Sequence, residues 1–215
     1  MRIIFILFLL TSFANTFSSE WRLVKEKNNI KIYSKSDEDS SLVSFRGVGE
    51  VNAPFGKVVQ IVLDPNRART WGKDLKESKV LKWIKKPLEF VEYNEVNMPL
   101  FIQNRDFVSK IKITVNKKEK YIRVDYVKDH DYENPVKEDN ILGDLTGSYF
   151  IVHSIDGGRR ALLDGVAIAD PKGWIPGWVV NLFQSNWPYG TITKIRLQAE
   201  RNDIKSHPYF SKVFR

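Results

Sequence analysis

Short apolar runs separated by turn residues dominate the chain from residue 30 to residue 168. Such runs are typical of strands, and the turns between several of them (Lys-Lys-Pro, Asn-Lys-Lys and Asp-Gly-Gly) favour antiparallel pairing of consecutive strands. The pattern predicts strands at residues 30–34, 43–51, 79–84, 88–96, 105–115, 121–128, 147–155 and 160–168. We therefore expect a sheet in which most neighbours are antiparallel.

Helical periodicity is confined to two places. A short helix is predicted over residues 54–63, with Asn52 as its cap and Asp64-Pro65 at its end. A much longer helix is predicted from near residue 174 to about residue 201, with Ile175, Trp178, Val179, Leu182, Asn186, Tyr189, Thr193 and Leu197 at spacings of three and four. Pro188 interrupts this stripe and should kink the helix. The kink fits either a helix that bends around the sheet or a lid that shifts.

Strand parity separates an inner from an outer face of the predicted sheet. Phe107, Ile111, Ile113 and Val115 share one face, which we expect to point inward. In the strand at 88–96, Glu92 and Asn94 fall on the same face as the apolar residues Leu88, Phe90 and Val96. An unpaired buried polar group costs about 1–3 kcal/mol. Either neighbouring groups or solvent satisfy these two side chains, or they meet the polar end of a ligand in a mostly apolar cavity.

Composition narrows the class of protein. The chain has 215 residues, no cysteine, 13% aromatic residues and a formal charge of +8. This length suits one domain, and the lack of cysteine excludes disulfides, thiol nucleophiles and Cys-ligated zinc. The surplus of aromatic residues indicates that something bulky and apolar is enclosed.

The N-terminus resembles a secretory signal peptide. Arg2 precedes an apolar run at residues 3–10, and small residues follow where a peptidase would cut. The run is shorter than the ~20 apolar residues that span a bilayer. We expect a signal peptide at residues 1–18, a domain at 19–204 and a C-terminal tail at 205–215, in a periplasmic or secreted protein. Loss of Arg2 would lower the formal charge from +8 to +7.

One segment carries a family resemblance. Residues 170–181, DPKGWIPGWVVN, resemble the signature that leads into the last helix of START (StAR-related lipid transfer) domains. Four further features match in order: WRLV and IKIY at 21–24 and 30–33, Trp71, YNEVNMP at 93–99, and NRDFV at 104–108. Together they cover nearly all of residues 20–202.

The resemblance implies an α+β fold of the helix-grip, Bet v1-like type. In this fold a curved antiparallel sheet wraps around a long C-terminal helix and encloses a hydrophobic cavity. It also implies non-enzymatic binding of one lipid or similar apolar molecule, with transfer or sensing as its use and with no cofactor.

Known head-group contacts of the family do not carry over. The position of an interior Arg in sterol-binding members is Ile111 here, and the phosphate-binding Arg of phosphatidylcholine-binding members corresponds to Ala68. The usual Asp after Trp71 is Gly72. The class of ligand therefore stays open.

Two groups of residues are the candidate site. We expect the ligand to contact Glu92, Asn94, Met98, Phe107, Ile111, Ile113, Tyr149, Ile151, His153, Trp178, Leu182, Asn186 and Tyr189. The lid and a transient membrane contact are assigned to Met98, Pro99, Phe101, Trp174, Ile175 and Pro176. Lys82, Lys85, Lys86 and Lys172 are expected around this lid, where they would attract anionic lipid. Core packing is the simpler explanation for Trp178. The chain is expected to be monomeric.

Two other functions compete with lipid binding. A helix-grip enzyme of the polyketide cyclase or aromatase type would need an acid or base in the cavity, for which Glu92 and His153 are the candidates. Asp125 is expected on a solvated outer face with Arg123. The three histidines show no metal-ligand spacing. Nucleic-acid binding is suggested only by the charge, without a recognition motif, and is not expected.

Overall fold

The computed structural model describes residues 20–36, 43–99, 101–131, 136–175 and 177–214, without the side chains of residues 36 and 177–185. The predicted signal peptide lies outside these residues. Among the described helices, none is both long and apolar enough to cross a bilayer.

Ten strands of the described ranges form one curved sheet. Their order is β1-β2-β3-β10-β9-β7-β6-β5-β4, with antiparallel neighbours throughout, while the short β8 pairs with β6 in parallel. The strands are β1 (Arg22–Lys27), β2 (Ile30–Ser36), β3 (Val43–Val51), β4 (Leu75–Lys85), β5 (Glu89–Val96), β6 (Arg105–Asn116), β7 (Tyr121–Lys128), β8 (Ile141–Leu142), β9 (Tyr149–Ile155) and β10 (Arg160–Ala167). The predicted α+β helix-grip class is confirmed, and the sheet begins earlier in the chain than the pattern predicted.

Three α-helices accompany the sheet in the described residues: α1 (Phe55–Leu63), α2 (Pro65–Trp71) and α3 (Gly177–Glu200). The predicted cap Asn52 is wrong, because Pro54 occupies the N-cap of α1 and forms no side-chain cap bond. Asp64 instead caps α2, where its carboxylate accepts a hydrogen bond from the Asn66 backbone N–H at 3.0 Å. The Asp64-Pro65 pair that ends α1 therefore begins α2, since proline is well tolerated in the first helical turn.

The hydrophobic core lies between the inner face of the sheet, α1 and the second half of α3. Val58 and Ile61 of α1 and Ile192 and Ile195 of α3 are almost fully buried. Gly47 of β3 permits the contact with α3, because a Cβ there would come within 2.7 Å of the Pro188 Cβ. Helix α3 thus lies directly on β3 at Pro188.

A second, smaller cluster covers part of the outer face, where Val91, Tyr93 and Val108 are buried. The Tyr93 hydroxyl donates to Asp106 Oδ1 at 2.9 Å, and Asn140 donates to the same oxygen at 2.7 Å. Burial acts to raise the pKa of the nearby Glu95 carboxyl, but hydrogen bonds from Lys137, Lys76 and Asn140 lower it to about 2. This ionised network attaches the loop at residues 136–140 to β5 and β6.

Candidate functional site

A cavity of about 220 Å³ lies against the inner face of the sheet, beside α2 and α3. Most of the side chains around it are apolar. It is lined by Val62, Ala68, Trp71, Gly72, Lys73, Leu75, Glu92, Asn94, Val96, Met98, Arg105, Phe107, Tyr126, Leu145, Ser148, Phe150, Val166, Ala167, Ala169, Pro171, Ile175 and Trp187. Such a wall suits an apolar guest with few polar groups.

Aromatic rings form one wall of the cavity around Phe150. The centroid of the Phe150 ring lies 5.9 Å from Trp71, 5.7 Å from Trp187 and 6.5 Å from Tyr126. The Trp71 indole N–H donates to the Ile61 carbonyl at 3.0 Å, so its polar atom is satisfied by the backbone. Large rings in contact with one another present apolar area with little side-chain freedom to lose.

Glu92 brings a carboxyl group to this apolar cavity. Its oxygens accept hydrogen bonds from Asn94 Nδ2 at 3.1 Å and from Ser78 Oγ at 3.4 Å. Within the described residues, no lysine or arginine forms an ion pair with it. Burial raises the pKa of Glu92 to about 7, although the bonds from Asn94 and Ser78 act to lower it. Near neutral pH, much of the population therefore carries a proton that can be donated.

Tyr126 lies beside this carboxyl on the neighbouring part of the wall. Burial, and then the charge of Glu92, raise the pKa of the Tyr126 hydroxyl. It therefore stays protonated at neutral pH. No hydrogen bond joins this hydroxyl to another described group, which leaves it available to a guest in the cavity. Glu92 and Tyr126 together provide a polar site in a mostly apolar space.

Arg105 connects two loops at the other side of the cavity. Its Nε donates to the Pro171 carbonyl at 2.7 Å, and its Nη2 donates to the Lys172 carbonyl at 3.1 Å. A third bond runs from Nη1 to the Gln103 carbonyl. The side chain is almost fully buried, and desolvation lowers its pKa. Arg105 thus holds the loop after β5 and the loop before α3 against each other.

We call these two loops the mouth, defined by the described residues 97–99, 101–104 and 170–175. Met98 and Ile175 line the cavity from the two loops. Phe101 is 96% exposed and Trp174 is 82% exposed, so each loop also presents a large apolar side chain to solvent. Exposed apolar groups at the rim of a cavity are typical of a contact with a membrane or a partner.

Several predicted site residues do lie at the cavity. The structure brings together Glu92, Asn94, Met98, Phe107 and Ile175 around it. Contact of these residues with a ligand stays a prediction. Ile111 and Ile113 point inward as expected, but they pack in the core and do not line the cavity.

The inward placement expected for Tyr149, Ile151 and His153 is wrong. Phe150 and Val152 of β9 are buried in the core, and the alternation of a strand places their neighbours on the outer face. There the Tyr149 ring lies 3.8 Å below the Arg123 guanidinium, and His153 packs on the Tyr121 ring. Both faces of β9 carry apolar residues, so the sequence pattern alone does not show which of them points into the core.

The α3 residues of the predicted site are placed differently from expectation. Asn186 is exposed, and the Tyr189 hydroxyl accepts a hydrogen bond from Asn28 Nδ2 at 2.8 Å, beside the turn between β1 and β2. Neither lines the cavity in the described residues. Pro99 is half-buried in the mouth. Pro176 and the side chains of Trp178 and Leu182 lie outside the described part of the chain.

Three expected mouth lysines are far from it. Lys82 and Lys85 belong to β4, and Lys86 follows it, at the end of the sheet where Glu89 pairs with Lys112. The mouth lies at the opposite end, where Val96 pairs with Arg105. Only Lys172 is at the mouth, where it pairs with Asp170 at 2.5 Å.

The most important residues that the pattern did not identify are Trp71, Tyr126, Phe150, Trp187 and Arg105. Phe150 and Tyr126 could have been found by assigning the inner faces of β9 and β7. No local signal indicates that Arg105 binds backbone carbonyls 66 residues away. Among the described residues, no group of acidic, His or Cys side chains could hold a metal ion.

Comparisons with known proteins agree with this geometry. The family model of the START domain matches residues 14–188. An uncharacterized protein of Pseudomonas aeruginosa is 24% identical over 188 residues, which cover 87% of this chain and 90% of that protein.

Solved structures share the fold. Human StAR-related lipid transfer protein 5 is similar with a TM-score of 0.73 at 16% identity, covering 84% of this chain and 86% of that chain. A fragment of a STAR-related lipid transfer protein from Xanthomonas axonopodis is similar with a TM-score of 0.72 at 25% identity. That comparison covers 84% of this chain and 99% of the fragment.

Proposed function

Because this chain belongs to the START domain family, whose domains bind lipids or other hydrophobic molecules, we propose that it carries one such molecule between membranes without altering it. The observation that carries the proposal is the cavity with its aromatic wall and the Glu92 carboxyl group that lines it. Burial of apolar ligand surface contributes about 25 cal/mol for each Å² removed from water. A mostly apolar guest therefore gains its affinity from the wall around Phe150.

The polar end of the ligand meets Glu92 and Tyr126. A protonated Glu92 and the Tyr126 hydroxyl both donate hydrogen bonds, so a hydroxyl or carbonyl oxygen fits between them. A carboxylate or phosphate would face the Glu92 charge at higher pH. The two cations that line the cavity are already engaged, Arg105 by three backbone carbonyls and Lys73 by Asp74. We therefore expect an uncharged head group, such as that of an alcohol, a ketone or an ester.

Loading requires the mouth to open. The cavity of about 220 Å³ is smaller than the roughly 300–1,000 Å³ that is usual for ligand sites. A lipid therefore needs additional room, which is gained when the two mouth loops and α3 separate. The hydrogen bonds from Arg105 to the Pro171 and Lys172 carbonyls are the interactions that this movement breaks.

A membrane provides the setting for this opening. Phe101 and Trp174 are exposed at the mouth, and both side chains suit the interface of a bilayer. Insertion of these residues would separate the loops where the lipid leaves. On the basis of the predicted signal peptide at residues 1–18, we propose that this exchange takes place in the periplasm or outside the cell, with the chain acting as a monomer.

A helix-grip enzyme is the second candidate function, favoured by one observation. A carboxyl group with a pKa of about 7 is suited to general acid–base catalysis. His153, the other candidate, lies on the outer face of the sheet. Exchange of Glu92 for Gln distinguishes the two functions, because a carrier would still load its ligand whereas an enzyme would lose turnover by at least about 100-fold.

Binding of the neutral fluorophore Nile red tests the carrier proposal. Ala167→Phe adds a ring to the cavity lining, and Thr114→Phe adds the same ring on the exposed outer face of β6 as a matched control. We expect saturable binding of one Nile red per chain, weakened at least about tenfold by Ala167→Phe and unchanged by the control. Equal binding by all three proteins would contradict a ligand in this cavity.

A further inference from the structure

A concentration of lysines lies at the end of the sheet opposite the mouth. The β4–β5 hairpin contributes Lys82, Lys85 and Lys86, and the adjacent β6–β7 hairpin contributes Lys110, Lys112, Lys117, Lys118 and Lys120. Both hairpins turn at this end, because Glu89 at the start of β5 pairs with Lys112 near the end of β6. We call residues 82–89 and 110–120 the basic pole.

The charge of the basic pole is not compensated locally. Its two segments contain eight lysines and only two acidic residues, Glu89 and Glu119. All of these lysines except the half-buried Lys110 are exposed. None of the eight forms a salt bridge with a described residue, whereas lysines nearer the mouth, such as Lys76 and Lys137, are paired with carboxylates. The pole therefore presents a field that favours an anionic surface.

Two apolar side chains stand among these lysines. Trp83 is 42% exposed and Ile84 is 46% exposed, on consecutive positions of β4. The Trp83 ring packs on Phe90 with its centroid 4.8 Å away, and the Lys86 ammonium lies 5.2 Å from the Trp83 centroid. Trp and Lys side by side are typical of the membrane interface, where the ring lies at the level of the head groups.

We propose that the basic pole docks onto an anionic lipid bilayer as a second membrane contact, separate from the mouth. The lysines attract the anionic head groups, and Ile84 and Trp83 enter the interface. The bilayer is favoured over nucleic acid because the apolar residues lie within the basic patch, whereas a phosphate backbone is bound by cations and polar groups.

The two contacts are far enough apart to act on different membranes. Strand β6 runs from the mouth to the basic pole over its 12 residues, Arg105–Asn116. At about 3.3 Å per residue these ends are separated by roughly 36–40 Å. This distance greatly exceeds the Debye length of about 8 Å at physiological salt, so neither contact depends on the charge of the other. One chain can then bridge two bilayers.

Vesicle co-sedimentation tests the pole on its own. The full chain carries Phe101→Ser and Trp174→Ser, which removes the mouth contact of the proposed function. Vesicles of phosphatidylcholine with or without 30% phosphatidylglycerol serve as the probe. Lys85→Ser with Lys86→Ser should weaken binding to the anionic vesicles about 10- to 30-fold. The matched control Lys31→Ser with Lys205→Ser removes two exposed lysines elsewhere and should change binding less than about threefold.

A fluorescent label reports which part of the chain meets the lipid. The sequence has no cysteine, so Ile84→Cys provides a single site for an environment-sensitive dye. We expect a blue shift on anionic vesicles for the label at residue 84 and none for a label at Glu138→Cys, an exposed position of the loop at residues 136–140. In the chain with an intact mouth, turbidity should show clustering of anionic vesicles that Lys85→Ser with Lys86→Ser abolishes.

Three outcomes would overturn the second contact. The first is that the Lys85→Ser, Lys86→Ser pair and the control pair lose vesicle binding equally. The second is that the dye at residue 84 shows no blue shift when the protein is bound to vesicles. The third is that the protein binds a DNA duplex more tightly than anionic vesicles. The bridging of two bilayers rests on the proposed function, whereas the pole itself does not. If the variants of the basic pole still bind Nile red, the cavity proposal stands even when the membrane contact of the basic pole is refuted.

Discussion

Exchange of Glu92 for Gln should change how the stability of the protein depends on pH. Glu92 faces the cavity, and no described cation pairs with it. Gln has nearly the same shape but never ionises, and its one oxygen can replace one of the two Glu92 oxygens that accept from Asn94 and Ser78. The substitution therefore removes the charge while it leaves the packing of the cavity wall in place.

The sign follows from proton uptake. The pKa of Glu92 is about 7 in the folded chain and 4.5 when unperturbed, so folding binds a proton between these values. The stabilising contribution is complete below pH 4.5 and is lost as pH rises through 7. One pKa unit corresponds to about 1.36 kcal/mol, so full ionisation reduces the free energy of unfolding by about 3 kcal/mol.

Urea unfolding of both proteins at several pH values measures this effect. The difference between Glu92→Gln and the parent isolates the carboxyl from other titrating groups. We expect the variant to gain about 2–3 kcal/mol relative to the parent between pH 5 and pH 8. Glu89→Gln, on the outer face of the same strand, is the matched control and should show no comparable gain. A pH-independent difference for Glu92→Gln would refute a desolvated carboxyl in the cavity.

Three further predictions concern the mouth and the core. Arg105→Met leaves three backbone carbonyls without their donor, so urea unfolding should show a loss of about 2–4 kcal/mol; a loss below about 1 kcal/mol would refute the linking role. Ile111→Arg buries an unpaired charge in the core, so gel filtration should show little soluble folded protein. A soluble, folded variant that no longer binds Nile red would instead place residue 111 at the cavity. Phe101→Ser with Trp174→Ser should change stability by less than about 0.5 kcal/mol but reduce vesicle binding of a chain lacking the pole lysines; unchanged binding would contradict the mouth contact.

Strand positions and the inward direction of Glu92 could be predicted from the sequence, because alternation of apolar and polar residues is a local signal. In β5, Phe90 and Val96 identify the inner face, and Glu92 and Asn94 follow by parity. The same argument failed in β9, where Ile151 and Val152 are both apolar and only Val152 is in the core. Burial of β9 is decided by neighbouring strands rather than by its own pattern.

The arrangement of the mouth could not be predicted because it depends on contacts between distant segments. In the sequence, Arg105 is a cation at the start of a strand with no indication of its partners. In the structure it donates to the carbonyls of residues 171 and 172. Lys82, Lys85 and Lys86 are close to the mouth loop in sequence. Because of the direction of β4, however, they lie at the other end of the sheet. Topology, and not composition, determines which surface these charges occupy.

The mass of whatever co-purifies with the chain tests the central claim most directly. Organic extraction of the purified protein, followed by mass spectrometry, should yield about one apolar molecule per chain with an uncharged polar group. Ala167→Phe should carry much less of it than the Thr114→Phe control. Extracts without any such molecule, from protein that also fails to take up lipid from vesicles, would contradict a lipid carrier.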